Sequence, residues 1–134
     1  MKLRVTKKNT GVAEEDGSVT VEFIGVLILL LTLLLGIVQL SIYLYARGVV
    51  INATVEGARR AAEFDEDLSS GIQQSQSVLS GGIGGLANGI NISAYEDGRS
   101  VVVVADGVIP GLGPIPELPV HASSEAFDEE DAFR

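Results

Sequence analysis

Hydrophobic positions are spread very unevenly along the 134 residues. Residues 23–46 form a run of 24 positions without a charge, mostly leucine, isoleucine and valine. At 1.5 Å per residue, a helix over this run rises about 36 Å. The hydrocarbon of a bilayer is about 30 Å thick, so the run predicts a membrane span with room for tilt. It exceeds the core of a secretory signal, about 7–15 residues. A buried helix in a soluble domain is the other reading. It fails on size, because so short a chain cannot wrap a helix that is apolar on every side. We assign residues 18–47 to a transmembrane helix.

The pattern on either side of the run is different. Residues 1–17 are polar and show no apolar periodicity, so they read as a mobile leader. Beyond Arg47 the helical pattern continues to about residue 64. Ala53, Gly57 and Ala61 recur there at intervals of four, a stripe of small residues that permits close helix packing. That packing is against other helices or against the chain's own head. Glu56 and Arg60 have the spacing and order of a helical ion pair.

A second, weaker amphipathic helix is suggested by Leu68, Ile72, Leu79 and Leu86, with a gap at Ser75 and Gln76 and a helix-weakening Gly71. Gly81, Gly82, Gly84 and Gly85 read as a flexible turn, because a phosphate loop needs a strand before it and a helix after it. Residues 90–105 alternate, break at Asp97-Gly98 and resume with four consecutive valines, which predicts a β-hairpin. All four prolines fall within residues 110–119, predicting an extended connector. Residues 118–124 suit a third strand. The expected fold is α+β: a long N-terminal transmembrane helix running into a small head, residues 48–124. That head has a second short helix and an antiparallel sheet of about three strands. Residues 125–134, with Asp128, Glu129, Glu130 and Asp131, read as a solvated acidic tail.

Charge orients this arrangement. Lys2, Arg4, Lys7 and Lys8 precede the span, and basic residues favour the cytoplasmic side. After Arg47 there are four basic and fourteen acidic residues, a net charge of −10. We therefore expect a cytoplasmic N-terminus and an extracytoplasmic head, and no nucleic-acid partner, since phosphate calls for a basic surface. There is no cysteine and only one histidine, His121. Thiolate and two-histidine metal sites are excluded. No motif marks a catalytic nucleophile. We expect no enzyme activity, no cofactor and no metal.

One position at the edge of the span invites chemistry. Glu22 directly precedes the apolar run, and Ser18 lies four residues before it. A carboxylate at membrane depth is costly and calls for a partner or a shallow position. At a helix N-terminus the dipole alone favours it. If the chain is cut between Gly17 and Ser18, the new amine on Ser18 stands one helical turn from Glu22.

The stretch from Gly17 through Ser18, Val19, Thr20, Val21 and Glu22 to Phe23, followed by an apolar helix, resembles the processing site of type IV pilin-like proteins. Phe23 after Glu22 is similar to the TadE-like pseudopilins of tight-adherence (Tad or Flp) pilus systems. The segment Asn52-Ala53-Thr54-Val55-Glu56-Gly57-Ala58-Arg59-Arg60-Ala61-Ala62 resembles a stretch that these proteins carry just beyond the membrane. The resemblance extends over residues 17–62 and returns weakly near residues 120–127. It implies a pseudopilin or minor pilin, a structural and assembly component with a pilin-like fold. A prepilin peptidase would cut between Gly17 and Ser18. Glu22, with Phe23 beside it, would pair with an N-terminal amine as helices pack. The implied partners are the lipid bilayer, the peptidase, other pilins or pseudopilins and the pilus assembly platform. The implied location is the cell membrane as a single-pass protein, with possible incorporation in a pilus. The alternative is an unprocessed single-pass anchored surface protein without a pilus role.

Overall fold

A computed structural model describes residues 2–3, 11–63 and 66–128, with side chains in the first helix described from Asp16 onward. Most of the leader, the break at residues 64–65 and the tail beyond Asp128 lie outside the described residues. The elements in order are α1 (Gly11–Ala62), α2 (Leu68–Ile83), a 3₁₀ segment (Gly84–Gly89), β1 (Ile90–Asp97), β2 (Ser100–Ile109) and β3 (Leu118–Phe127). The fold is the expected α+β: one long apolar helix, a second short helix and a three-stranded antiparallel sheet. The chain divides into two compact units, Met1–Ile37 and Val38–Arg134.

In the first unit, α1 begins at Gly11. Residues 11–16, expected to belong to a mobile leader, are therefore helical, and Gly17 lies inside the helix. The side chains of residues 16–34 are all exposed, as a helix apolar on every face requires when no protein covers it.

In the second unit, the sheet order is β1-β2-β3, antiparallel throughout. Asp97 pairs with Ser100, so the hairpin loop is only Gly98 and Arg99. Gly98 has φ +66°, a value glycine adopts without strain. β2 runs four residues further than the valine run suggests. Gly107 makes this possible, since a Cβ there would overlap the carbonyl oxygen of Gly89 and lie 2.7 Å from Ile90 Cα. β3 continues to Phe127, where Ser100 pairs with it, and Asp128 N–H donates to Arg99 C=O at 2.9 Å. The first residues of the expected tail thus belong to the sheet.

The core lies between the helices and one face of the sheet. Ala46, Val50 and Ala53 of α1 and Leu79 and Ile83 of α2 pack with Ile90, Ala105, Ile109, Val120 and Ala122. A smaller cluster joins Ala61 and Ala62 to Val101. Leu79 is 2% exposed, and burying such a side chain stabilises by about 1.5–3 kcal/mol.

The buried face of α2 corrects the sequence reading. It consists of Gly71, Ser75, Leu79 and Ile83, a strict four-residue repeat. Ser75, a gap in the apolar pattern, is fully buried and donates its hydroxyl to Ala53 C=O at 2.8 Å. Gly71, a weak helix former, permits the contact. A Cβ there would lie 2.6 Å from both Ala61 Cβ and Gly57 C=O. Asp67 caps α2, its carboxylate accepting from Ser70 N–H at 3.0 Å and from Ser69 Oγ at 2.7 Å. The expected flexible glycine turn after α2 is a 3₁₀ segment entered through Gly84, whose φ is +54°.

A candidate processing and assembly segment

Ser18 and Glu22 sit one helical turn apart on α1, so they share a face of the helix. Gly17, Ser18, Glu22 and Phe23 are all exposed, Phe23 at 66%. A Cβ on Gly17 would meet nothing within 4 Å. The choice of glycine there is therefore not imposed by packing in this chain. Thr20 donates its hydroxyl to Asp16 C=O at 2.9 Å, spanning the Gly17–Ser18 peptide bond. This local bond satisfies the hydroxyl without a tertiary partner. From this point the helix is long and apolar enough to cross a membrane.

The small-residue stripe has another setting. Ala53, Gly57 and Ala61 are buried, and they face α2 of the same chain. A Cβ on Gly57 would overlap Ser75 Oγ and lie 2.7 Å from Gly71 C=O. Glycine on both sides of the crossing brings the two backbones together, and the Ser75 hydroxyl uses that proximity. Thr54, on the same buried side, shares a 2.8 Å hydrogen bond with Ser124 Oγ of β3. Asn52, Glu56, Arg59 and Arg60 stand on the exposed side. Arg60 turns away from the expected Glu56. Its guanidinium reaches Glu63 Oε2 at 2.6 Å and Glu66 Oε1 at 2.7 Å. The later pair links the end of α1 to the residue before the α2 cap, which an i,i+4 count within one helix cannot anticipate.

Gln39 is the residue that periodicity misses. It lies within the uncharged run, yet it is 3% exposed. Its Oε1 accepts from Leu112 N–H at 3.0 Å, and its Nε2 donates to Pro110 C=O at 3.4 Å. Tyr43 donates its hydroxyl to Pro119 C=O at 3.0 Å, and Tyr45 donates to Gly82 C=O at 3.0 Å. The signal that points to these bonds is the clustering of one amide and two phenols at the end of an otherwise aliphatic run.

His121 pairs with Asp106 across β2 and β3, where the two face each other in register, and both side chains are largely exposed. Among the described residues, no cluster of three or more histidine, cysteine, aspartate or glutamate side chains has metal-site geometry. The Ser69 hydroxyl, then the Ser70 amide and hydroxyl, hold the Asp67 carboxyl below the ordinary aspartate value.

No curated protein and no solved structure gives a significant match to the chain. A family model does match, and it covers the helix from the expected cut site to the exposed edge of the α1–α2 crossing. Residues 17–59 match the family described as TadE-like protein, so the resemblance carried by Gly17, Glu22, Phe23 and the Gly57 segment is that of a TadE-like segment.

Proposed function

We propose that this protein is a TadE-like pseudopilin or minor pilin of a tight-adherence pilus system, a building block and not a catalyst. The observation that carries the reading is the TadE-like match beginning at Gly17, on a helix that sets Ser18 one turn from Glu22 at the mouth of an apolar span. In this reading the N-terminus is cytoplasmic and the head is extracytoplasmic. A prepilin peptidase cuts between Gly17 and Ser18. The helix stays with the product, and Glu22 neutralises an N-terminal amine, its own or a neighbour's, as helices pack away from lipid. The head, residues 48–124, favours an accessory or initiating position over the filament body.

Two measurements test this. In cells carrying the cognate peptidase, intact-mass analysis should show loss of residues 1–17, and Gly17→Ala should slow that loss. Glu22→Ala should insert normally, because removing a carboxylate from an apolar flank eases partition. It should then fail to co-purify with other pilus components, since deleting one member of a buried ion pair costs about 3–5 kcal/mol. Full-length mass together with normal recovery of partners would overturn the reading.

One observation favours the second reading, an unprocessed single-pass anchor. The helix runs unbroken from Gly11 through the proposed cut, so cleavage there needs local unwinding. Full-length protein in the membrane, unaltered by Gly17→Ala, is the result that reading expects.

A further inference from the structure

We propose that the outer edge of β1 accepts an extended strand from a partner protein. The segment it fits runs antiparallel to β1, is uncharged along most of its length and carries a basic residue beside Glu96 and Asp97. The inference stands on the head alone and goes beyond the pilus reading.

Hydrogen-bond geometry supplies the first argument. Asp128 N–H donates to Arg99 C=O, and bonding in an antiparallel ladder alternates along each strand. Even-numbered residues of β3 therefore bond to β2, and odd-numbered ones direct N–H and C=O outward. Carried through β2, where Ser100 pairs with Asp97, the same alternation turns the even-numbered residues of β1 outward. β1 and β3 are the two edges of the sheet. Ile90 N–H is taken by Ala87 C=O. The backbone bonds made outside the helices and strands, among the described residues, include none to Ile92, Ala94 or Glu96. Their outward groups repeat every second residue, about 7 Å, a spacing that an extended chain matches.

The contrast between the edges supplies the second. The outward residues of β3 are Pro119, His121, Ser123, Glu125 and Phe127. Proline offers no N–H, and proline and charge protect an edge against added strands. β1 has neither before Glu96. Residues 68–95 carry no charge, although the head is strongly acidic. That stretch includes α2, which packs against β1. A cavity of about 390 Å³ opens between α2 and the start of β1, lined by Gln76, Leu79, Ser80, Ala87, Asn88 and Ile90. Two amides and a hydroxyl beside an apolar wall suit one uncharged polar side chain at that end of the incoming strand. At the other end Glu96 and Asp97 are exposed and favour a cation opposite them.

The probe is the peptide acetyl-Lys-Thr-Val-Thr-Val-Thr-Gln-amide, added to full-length protein in detergent micelles. Set antiparallel with its lysine opposite Glu96, it places its valines opposite Ala94 and Ile92 and its glutamine opposite Ile90. Amide exchange at Ile92 and Ala94 should slow by about tenfold. N-methylation of both valines, whose N–H groups face β1 in this register, should abolish the effect. N-methylation of the threonines, whose N–H groups face away, should not. Glutamate in place of the lysine should weaken binding. Ala94→Pro removes an outward N–H without touching the ladder to β2 and should lose binding. Ser123→Pro, the matching change on β3, should keep it. The N-methylated peptides make the same distinction on the unaltered protein if the Ala94 variant does not fold. Protection at Ser123 instead, protection at neither edge, or equal binding of the N-methylated forms or of the glutamate peptide overturns the proposal. So does a dimer that forms without peptide and is lost in Ala94→Pro, because a second copy then fills the edge. Each of these results leaves cleavage at Gly17, and the pilus reading with it, to be decided by its own test.

Discussion

Residues 23–38 and residues 39–62 belong to one helix but follow opposite rules. In the first stretch leucine, isoleucine and valine occupy every face, and nearly all are exposed. In the second, burial is confined to one side and falls mainly on small residues: Ala46, Ala53, Gly57, Ala58, Ala61 and Ala62. Large aliphatic side chains suit a fluid hydrocarbon, which conforms to any shape. Small ones suit a fixed protein surface, where close backbone approach gives contact area. Hydrophobicity alone thus does not report packing on this helix, and its most tightly packed part is not its most apolar part.

The contrast can be broken most severely at Leu79. Leu79→Ala should destabilise the head by about 3 kcal/mol, through lost transfer energy and the cavity left behind. Leu30→Ala, in the exposed stretch, should leave the head's stability unchanged. Urea unfolding in detergent, followed by circular dichroism, measures both; a comparable loss from Leu30→Ala would defeat the distinction.

Gly57→Val comes next. Its side chain would overlap Ser75 Oγ and crowd Gly71 C=O, so a loss of about 2–3 kcal/mol is expected. The matched control is Gly36→Ala, where a Cβ meets nothing within 4 Å. That control should be neutral or slightly stabilising, because alanine is the better helix former. Hydrogen exchange across α2 should accelerate only in the Gly57 variant.

Gln39→Leu sharpens the border between the two stretches. It keeps the volume but leaves Pro110 C=O and Leu112 N–H without their partner. A cost of about 2 kcal/mol is expected from buried polar groups left unpaired. Amide exchange at Leu112 is the direct readout, and unchanged protection would mean the bond contributes little.

The smallest effect is at the α2 cap. The Asp67 carboxyl titrates below its ordinary value in the folded protein. Its charge therefore adds stability that is fully present above the unfolded-state value and lost as pH falls through the lower folded value. Asp67→Asn retains a capping side chain without the charge. The difference between the two proteins should be constant near neutrality, begin to change below about pH 4 and level off only below the lower folded value. A difference that grows on acidification would contradict the cap assignment.

Much of the fold is legible in the order of residues alone. The long apolar helix, the hairpin with its Asp97-Gly98 break and the third strand follow from runs and periods of two, which local chemistry imposes whatever surrounds them. The Ser18–Glu22 spacing is equally local. The face of α2 is not legible, because Gly71 and Ser75 are weak signals of burial in isolation. They make sense only opposite Gly57 and Ala53. The partner of Arg60 is hidden for a similar reason, since Glu66 reaches it only after the chain turns towards α2.

By itself, then, the sequence determined the order of the two helices and three strands, the apolar run and the glycine-to-glutamate spacing at its edge. These depend on interactions within a few residues or with a featureless solvent. Only the tertiary structure decided where along the apolar run the protein begins to cover its own helix. It also decided that the small-residue stripe meets α2 of the same chain, and that Gln39 holds the proline loop. The pairs that settle these points lie far apart in sequence: Gln39 with Leu112, Gly57 with Gly71, Thr54 with Ser124. Each depends on shape fit at contact distance, and no periodic pattern in one segment encodes the shape of another.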